Sequence, residues 1–220
     1  MTFIALEGID GSGKTTLSRK LRSFYLEKGE KVYLTQEPTS SMKVDENLAG
    51  SRDAGSAYEL LVRFTEDRVM HSRIVKEKLD NGYVVISDRY LLSSAAYQGA
   101  LIMGDYGSTA ELLQFILLLS SPIEAWPDTV FLLDIDPEIS LERIRARNEM
   151  SGFEDLDYLR RVRNLYLELA RLLASPDEKN AQSGVGQTLW NNLKRIEIVD
   201  SSIRRKDLIS RCISLLVHSD

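Results

Sequence analysis

The stretch Thr2-Phe3-Ile4-Ala5-Leu6-Glu7-Gly8-Ile9-Asp10-Gly11-Ser12-Gly13-Lys14-Thr15-Thr16 decides how this chain folds. Thr2–Leu6 is a short, nearly continuous apolar run, the pattern of a strand buried on both faces. It runs directly into Gly8 to Thr15, which fits Gly-x4-Gly-Lys-Ser/Thr. Glycines let such a loop curl until successive amides point inward at phosphate oxygens, and the N-terminus of the following helix adds its dipole. That helix is legible from Leu17, Leu21 and Phe24, with Gly29 as its stop. Lys14 is placed to reach β- and γ-phosphates, and the Thr15 hydroxyl to ligate magnesium. Gly8, Asp10, Gly11, Ser12, Gly13, Lys14, Thr15 and Thr16 therefore form a candidate nucleoside-triphosphate site.

Working outward, Tyr83–Ser87, Thr129–Ile135 and Ile196–Val199 repeat the buried-strand pattern, and Val32–Leu34 is a shorter fifth. Helical stretches separate them. Leu159, Val162, Leu165, Tyr166, Leu169, Leu172 and Leu173 form one apolar stripe over Leu156 to Leu173, read as core. Strand–helix alternation predicts a three-layer α/β/α sandwich around a five-stranded parallel sheet. The whole span 1–220 reads as one domain, with a lid segment near 143–155. Thr39–Ala57 and Ser175–Asn192 are polar and read as surface excursions. Leu112–Leu119 is apolar on nearly all sides, either a core helix or a face for a second copy.

Composition excludes several classes of function. A chain of 220 residues buries roughly 70% of its unfolded surface without needing a disulfide or structural metal. Cys212 is the single cysteine, and His71 and His218 are far apart in sequence, so neither a disulfide framework nor a zinc site is expected. The 28 basic and 33 acidic residues leave −5, a poor field for polymeric nucleic acid. No apolar run approaches a membrane span, and no signal-peptide pattern is present, so a soluble, cytoplasmic protein is expected.

The loop alone does not separate GTPase, ATPase and kinase. No Asn-Lys-x-Asp guanine reader is present, and the third strand ends in Ser87-Asp88-Arg89 where oligomeric ATPases usually carry two acids. Further motifs follow in order: Gln36-Glu37-Pro38-Thr39, then Phe64-Thr65-Glu66-Asp67-Arg68-Val69-Met70-His71, then Asp88-Arg89-Tyr90 running through Ser93, Ser94, Tyr97 and Gln98. Phe64 and Arg68 are four apart, hence on one helix face. Arg89 follows a buried strand, so its planar cation emerges at the carboxyl edge of the sheet, where open α/β folds bind ligands.

With these motifs the chain resembles the thymidylate kinases, P-loop enzymes that convert dTMP to dTDP with ATP. The resemblance implies a P-loop NTPase type of fold, ATP and Mg2+ as cofactors, dTMP as acceptor, and a homodimer. It implies that Phe64 stacks on thymine, Arg68 donates to its 4-carbonyl, and Arg89 clamps the acceptor phosphate. Asp10 would accept from the 3′-hydroxyl, and Tyr97 would crowd a 2′-hydroxyl. Glu37, Pro38, Ser93, Ser94 and Gln98 would complete the acceptor site. Asp88, beside Arg89, is placed to accept from that arginine's network or to hold magnesium through water. The phosphate loop has no arginine of its own, which resembles the subclass whose lid supplies the cation. Arg143, Arg145 and Arg147 are the candidates, with an alternative place for Arg143 against adenine. Asp200-Ser201-Ser202 is similar to the turn beside adenine. Glu66 departs from the family pattern and would crowd the base pocket unless it points away. The alternatives are a related kinase for another nucleotide or deoxynucleoside acceptor, or a nucleotide-binding module without turnover.

Overall fold

The structure, a computed structural model, describes residues 1–146, 155–174 and 193–217. Five strands, β1 (Phe3–Glu7), β2 (Lys31–Gln36), β3 (Tyr83–Asp88), β4 (Thr129–Asp134) and β5 (Arg195–Asp200), form one sheet in the order β2-β3-β1-β4-β5. Every pairing is parallel, with Ile4 opposite both Ile86 and Thr129. The helices are α1 (Lys14–Glu27), α2 (Glu46–Gly50), α3 (Ala54–Asp80), α4 (Leu91–Tyr97), α5 (Gly99–Ile102), α6 (Thr109–Leu119), α7 (Pro137–Arg145), α8 (Leu156–Ala174) and α9 (Arg205–Val217).

The central strands are apolar throughout because alternate side chains enter two different cores. Phe3, Ala5, Val85, Val130 and Leu132 face a larger core filled by α3, α4, α6 and α8. Ile4, Leu6, Val84, Ile86, Phe131 and Leu133 face a smaller one, closed by Leu17 and Leu21 of α1 with Leu208 and Cys212 of α9. The three-layer expectation is met, and most of the α8 stripe is core as read: Leu159, Val162, Leu165, Tyr166, Leu169 and Leu173 are buried, while Leu172 is half-buried.

Two details of the sequence reading are corrected. β1 ends one residue later than expected, at Glu7, whose buried carboxylate accepts from the Tyr90 amide and the Ser93 hydroxyl. The strand at 195–200 is not buried throughout; as an edge strand it leaves Ile198 40% exposed. The residues 147–154 and 175–192 lie outside those described, so Arg147, most of the expected lid and the second polar excursion are not placed.

The order of the strands positions the site. From β1 the chain crosses to β2 and β3 on one side and only afterwards to β4 and β5 on the other. The crevice beyond the carboxyl end of β1 is therefore the switch point where open α/β sheets bind ligands.

Candidate active site

The phosphate loop leaves β1 at Gly8, whose φ of 135° is closed to residues with a side chain. A Cβ here would also lie 2.5 Å from the Leu133 carbonyl oxygen, so Gly8 lets the loop pass against β4. Gly11, at φ 77°, is pressed in the same way against the Ser140 carbonyl of α7, 2.7 Å from a would-be Cβ. Ser140 Oγ in turn donates to the Asp10 carbonyl. At the N-terminus of α1, Gly13 offers no capping side chain and the first turn carries no acid, leaving the helix end open to an anion.

Lys14 folds back within this loop. Its Nζ donates to the carbonyls of Gly8 at 3.0 Å and Ile9 at 2.9 Å, and the side chain is buried. Burial pushes its pKa down, repulsion from Arg89 adds to the effect, and Asp10, Asp88 and Glu7 oppose it, for a result of about 8. Ser12 Oγ is buried with no hydrogen-bond partner among the described residues. An unpaired buried hydroxyl is costly, and a nucleotide oxygen would relieve it. The predicted magnesium pair is assembled, since Thr15 Oγ1 donates to Asp88 Oδ2 at 2.6 Å. No cluster of three or more acidic, histidine or cysteine ligands occurs among the described residues. One hydroxyl and one carboxylate beside a phosphate site nevertheless fit Mg2+, which keeps several waters and takes its remaining ligands from substrate.

Beside the loop opens a cavity of about 190 Å3, lined by Glu37, Pro38, Phe64, Asp67, Arg68, Arg89, Tyr90, Ser93, Ser94, Tyr97 and Gln98. Every acceptor-site residue predicted from the sequence except Asp10 is in this wall. The volume is below the ~300 Å3 usual for a whole drug-sized ligand, suiting one ring and part of a sugar. Phe64 and Arg68 do share a face of α3, and Glu66 is exposed and clear of the cavity. Arg68 is only 2% exposed. Its Nε donates to Glu37 Oε2 at 2.6 Å, and its Nη2 to Ser94 Oγ at 2.9 Å and the Tyr90 carbonyl at 3.3 Å. Nη1 is buried with no partner among the described residues. A desolvated donor of this kind calls for an acceptor on whatever fills the cavity.

Arg89 leaves β3 at φ 75°, in the left-handed region that residues with side chains rarely adopt. Its Nη2 meets Asp10 Oδ1 at 2.5 Å, and its Nη1 lies 3.1 Å from Ser93 Oγ and 3.3 Å from the Gly8 carbonyl. The Tyr97 hydroxyl donates to Asp10 Oδ2 at 3.1 Å and accepts from the Asp10 amide at 3.0 Å. Burial, and then the Asp10 charge, raise the Tyr97 pKa above its ordinary value. Asp10, Arg89 and Tyr97 thus meet at the junction of the cavity and the phosphate loop, as the resemblance required.

Several residues that hold this arrangement were missed from sequence. Glu7, 1% exposed, accepts from the Tyr90 amide at 2.9 Å, Ser93 Oγ at 2.5 Å and Tyr166 Oη at 3.2 Å. Burial raises its pKa, opposed by these hydrogen bonds and by Arg89 and Arg68. An acid closing an otherwise apolar buried strand was the available signal. Asp67 accepts from the Thr39 amide at 2.8 Å and hydroxyl at 2.5 Å, tying the segment after Pro38 to α3. Both Glu37 oxygens are engaged within the protein, one by Arg68 and one by His71 Nδ1 at 3.0 Å. Ser93 and Ser94 likewise support arginines from behind.

On the other side of the loop a second cavity, about 480 Å3, is lined by Ser12, Gly13, Thr16, Arg143, Ser201 and Ser202 with the start of α9. Arg143 reaches the carbonyls of Ser201 at 3.0 Å and Gly11 at 3.4 Å, which suits its alternative place at the adenine. Arg145 is exposed in the last turn of α7 and is not brought to either cavity, because it points away from the face that carries Arg143.

Comparison with known proteins agrees with the geometry. A family model described as thymidylate kinase matches residues 6–177. The chain is 42% identical over 168 residues to a probable thymidylate kinase of Archaeoglobus fulgidus, covering 76% of this chain and 81% of the relative. A probable thymidylate kinase of Thermoplasma acidophilum is 40% identical over 165 residues, 74% and 81% of the two chains. One from Pyrobaculum calidifontis is 36% identical over 208 residues, 92% of this chain and all of the relative. With its phosphate loop, its cavity and relatives matched over most of their length in agreement, the chain belongs to the thymidylate kinase family.

Proposed function

We propose that the protein transfers the γ-phosphoryl group of ATP to dTMP, giving dTDP and ADP, by direct in-line displacement. The observation that carries this reading is the pair of unpartnered buried polar atoms on either side of Lys14 and Arg89. Ser12 lines the donor cleft and Arg68 the acceptor cavity, and Ser12 Oγ and Arg68 Nη1 are each buried with no partner among the described residues. The second suits a pyrimidine that presents a carbonyl at C4, with Phe64 against the ring.

In the transfer, an acceptor phosphate oxygen forms a bond to the γ-phosphorus as the bond to the β–γ bridging oxygen breaks. The protein supplies position and charge. Lys14 and Arg89 rest on internal oxygens, the Gly8 and Ile9 carbonyls and the Asp10 carboxylate. Anionic substrates would draw both cations toward the migrating group. Asp10, released from Arg89, would take the sugar 3′-hydroxyl while Tyr97 fills the space of a 2′-hydroxyl. Thr15 and Asp88 would hold Mg2+, which when bound neutralises charge on the β- and γ-oxygens. Arg143, Arg145 and Arg147 are the lid candidates for the developing γ charge; of the two that are described, Arg143 is seated beside the loop and Arg145 is exposed.

The protein is read as working in the cytoplasm, where its nucleotides are, and as a homodimer through the outer faces of α3 and α6. No helix among the described residues is long and apolar enough to cross a membrane. The test is ADP release across dTMP, dUMP, dCMP, dGMP and thymidine. dTMP should be the best acceptor, and Lys14→Met should lower kcat by about a thousandfold or more with the fold intact. A better rate with thymidine would leave Arg89 without a phosphate to clamp and replace this reading with a nucleoside kinase. Unchanged turnover in Lys14→Met would remove the kinase reading altogether.

A further inference from the structure

Behind the acceptor cavity a buried line of polar groups ends on the Arg68 guanidinium. It starts on β2, where Thr35 Oγ1 lies 2.8 Å from His71 Nε2. Nδ1 of the same ring is 3.0 Å from Glu37 Oε1, and Glu37 Oε2 accepts from Arg68 Nε at 2.6 Å. His71 is 3% exposed, and it is not part of the cavity wall.

The chemistry of these groups fixes their directions. An ionised carboxylate only accepts, so the His71 nitrogen facing Glu37 carries a proton. Nε2 then pairs with the Thr35 hydroxyl, so both ring nitrogens and both Glu37 oxygens have partners, and Arg68 Nη1 is left without one among the described residues. Glu37 is thereby held at both oxygens by different partners, and its plane is set. Arginine and carboxylate left to themselves prefer a two-pronged fork, with Nε and the adjacent Nη each on one oxygen. His71 prevents that by occupying Oε1, and Nη2 stays with Ser94 and Tyr90. Because the guanidinium is planar and rigid, its remaining nitrogen, Nη1, is then fixed in direction.

We propose that His71 is a positioning residue for base recognition: through Glu37 it holds Arg68 so that Nη1 is presented to the acceptor base. The inference rests on the reading of Arg68 as the residue that meets the pyrimidine 4-carbonyl. With Oε1 released, Glu37 would fork onto Nε and Nη2, draw Nη2 off Ser94 and turn Nη1 away.

The two nitrogens of the ring can be replaced one at a time. Asn at 71 puts an amide nitrogen near the place of Nδ1 and keeps the donor to Glu37. Gln puts its nitrogen near the place of Nε2 and serves Thr35 only. Steady-state kinetics with dTMP, dCMP and ATP would be measured for both variants and for Arg68→Gln. His71→Gln should raise KM for dTMP about tenfold, narrow the preference for dTMP over dCMP, and leave kcat and KM for ATP within about twofold. His71→Asn should recover most of the dTMP affinity and of the preference. Equal impairment of the two variants, or a joint fall of kcat and both affinities, would overturn the positioning role. Arg68→Gln separates the two levels. If it weakens dTMP while His71→Gln does not, the inference fails alone. If it leaves KM for dTMP unchanged, the base-reading assignment fails and the inference goes with it.

Discussion

Arg89 converts the end of a strand into a cation aimed at the phosphate loop, and its left-handed backbone makes the turn possible. A residue with a side chain at such a φ persists only where its surroundings over-determine it. Here Asp10, Ser93, the Gly8 carbonyl and the Tyr97 ring all hold the guanidinium. The same pairing gives a pH signature. Burial raises the Asp10 pKa, but Arg89 and Lys14 outweigh it and bring the carboxyl to about 2, although its side chain is still 55% exposed. An unfolded Asp titrates near 3.9, so between about pH 4 and pH 2 the unfolded chain binds more protons than the folded one. The stability contributed by ionised Asp10 is therefore fully present above about pH 4 and lost as pH falls toward 2. Urea unfolding across this range should give a flatter decline for Asp10→Asn than for the natural chain. Parallel declines would show that the pair contributes nothing to acid stability.

At this scale most of the site was legible in the sequence, because Gly8, Lys14, Phe64, Arg68, Asp88 and Arg89 sit at spacings that only a few chemistries require. What escaped were Glu7, Asp67 and His71, whose partners are brought together by the fold from 28 to 159 positions away. Glu7 alone had a local signal, as the acid that closes an apolar strand; no local pattern announces the other two. Glu37 was legible as part of a motif, yet its oxygens turned out to serve Arg68 and His71 directly.

Among the elements, α6 shows why both readings of its sequence had a basis. Leu112, Leu113, Ile116 and Leu117 enter the core, while Leu118 is 58% exposed on the opposite side. The neighbouring α3, in contact through Tyr58 and Phe115, exposes Val62 at 56%, Met70 at 58% and Ile74 at 46%, at successive spacings of eight and four residues. Apolar side chains gathered this way favour association with a like surface. For the proposed homodimer, Leu118→Glu and Met70→Glu together should halve the mass seen by sedimentation while leaving the far-ultraviolet circular dichroism unchanged. An unaltered mass would place the dimer face elsewhere or show a monomer. Helix periodicity was readable from spacing alone; which strands lie at the edges was not, because strand order is set by crossovers. Ile198 looks as buried as Ile86 in sequence and is exposed for that reason.

Across the whole molecule, the net charge of −5 says little about the cleft, where Arg68 and Arg89 line one cavity and Arg143 the other, and where Glu37 and Asp10 hold the first two. The two cores are also unequal. The larger one holds most of the buried apolar residues, and the smaller depends on α1 and on an α9 that buries only Leu208 and Cys212. Arg205, Leu208 and Ile209 of that same helix line the donor-side cavity, opposite the phosphate loop. Any excursion that peels α9 away therefore dismantles a wall of the nucleotide site. A nucleotide at a hundred times its Kd should add about 2.7 kcal/mol to the cost of that opening. Amide hydrogen exchange in α9 should then slow markedly with ADP, while local openings of α6 continue at their former rate. Occupancy of the donor site would in this way be written into the protection pattern of the last helix, some distance from the transferred phosphoryl group.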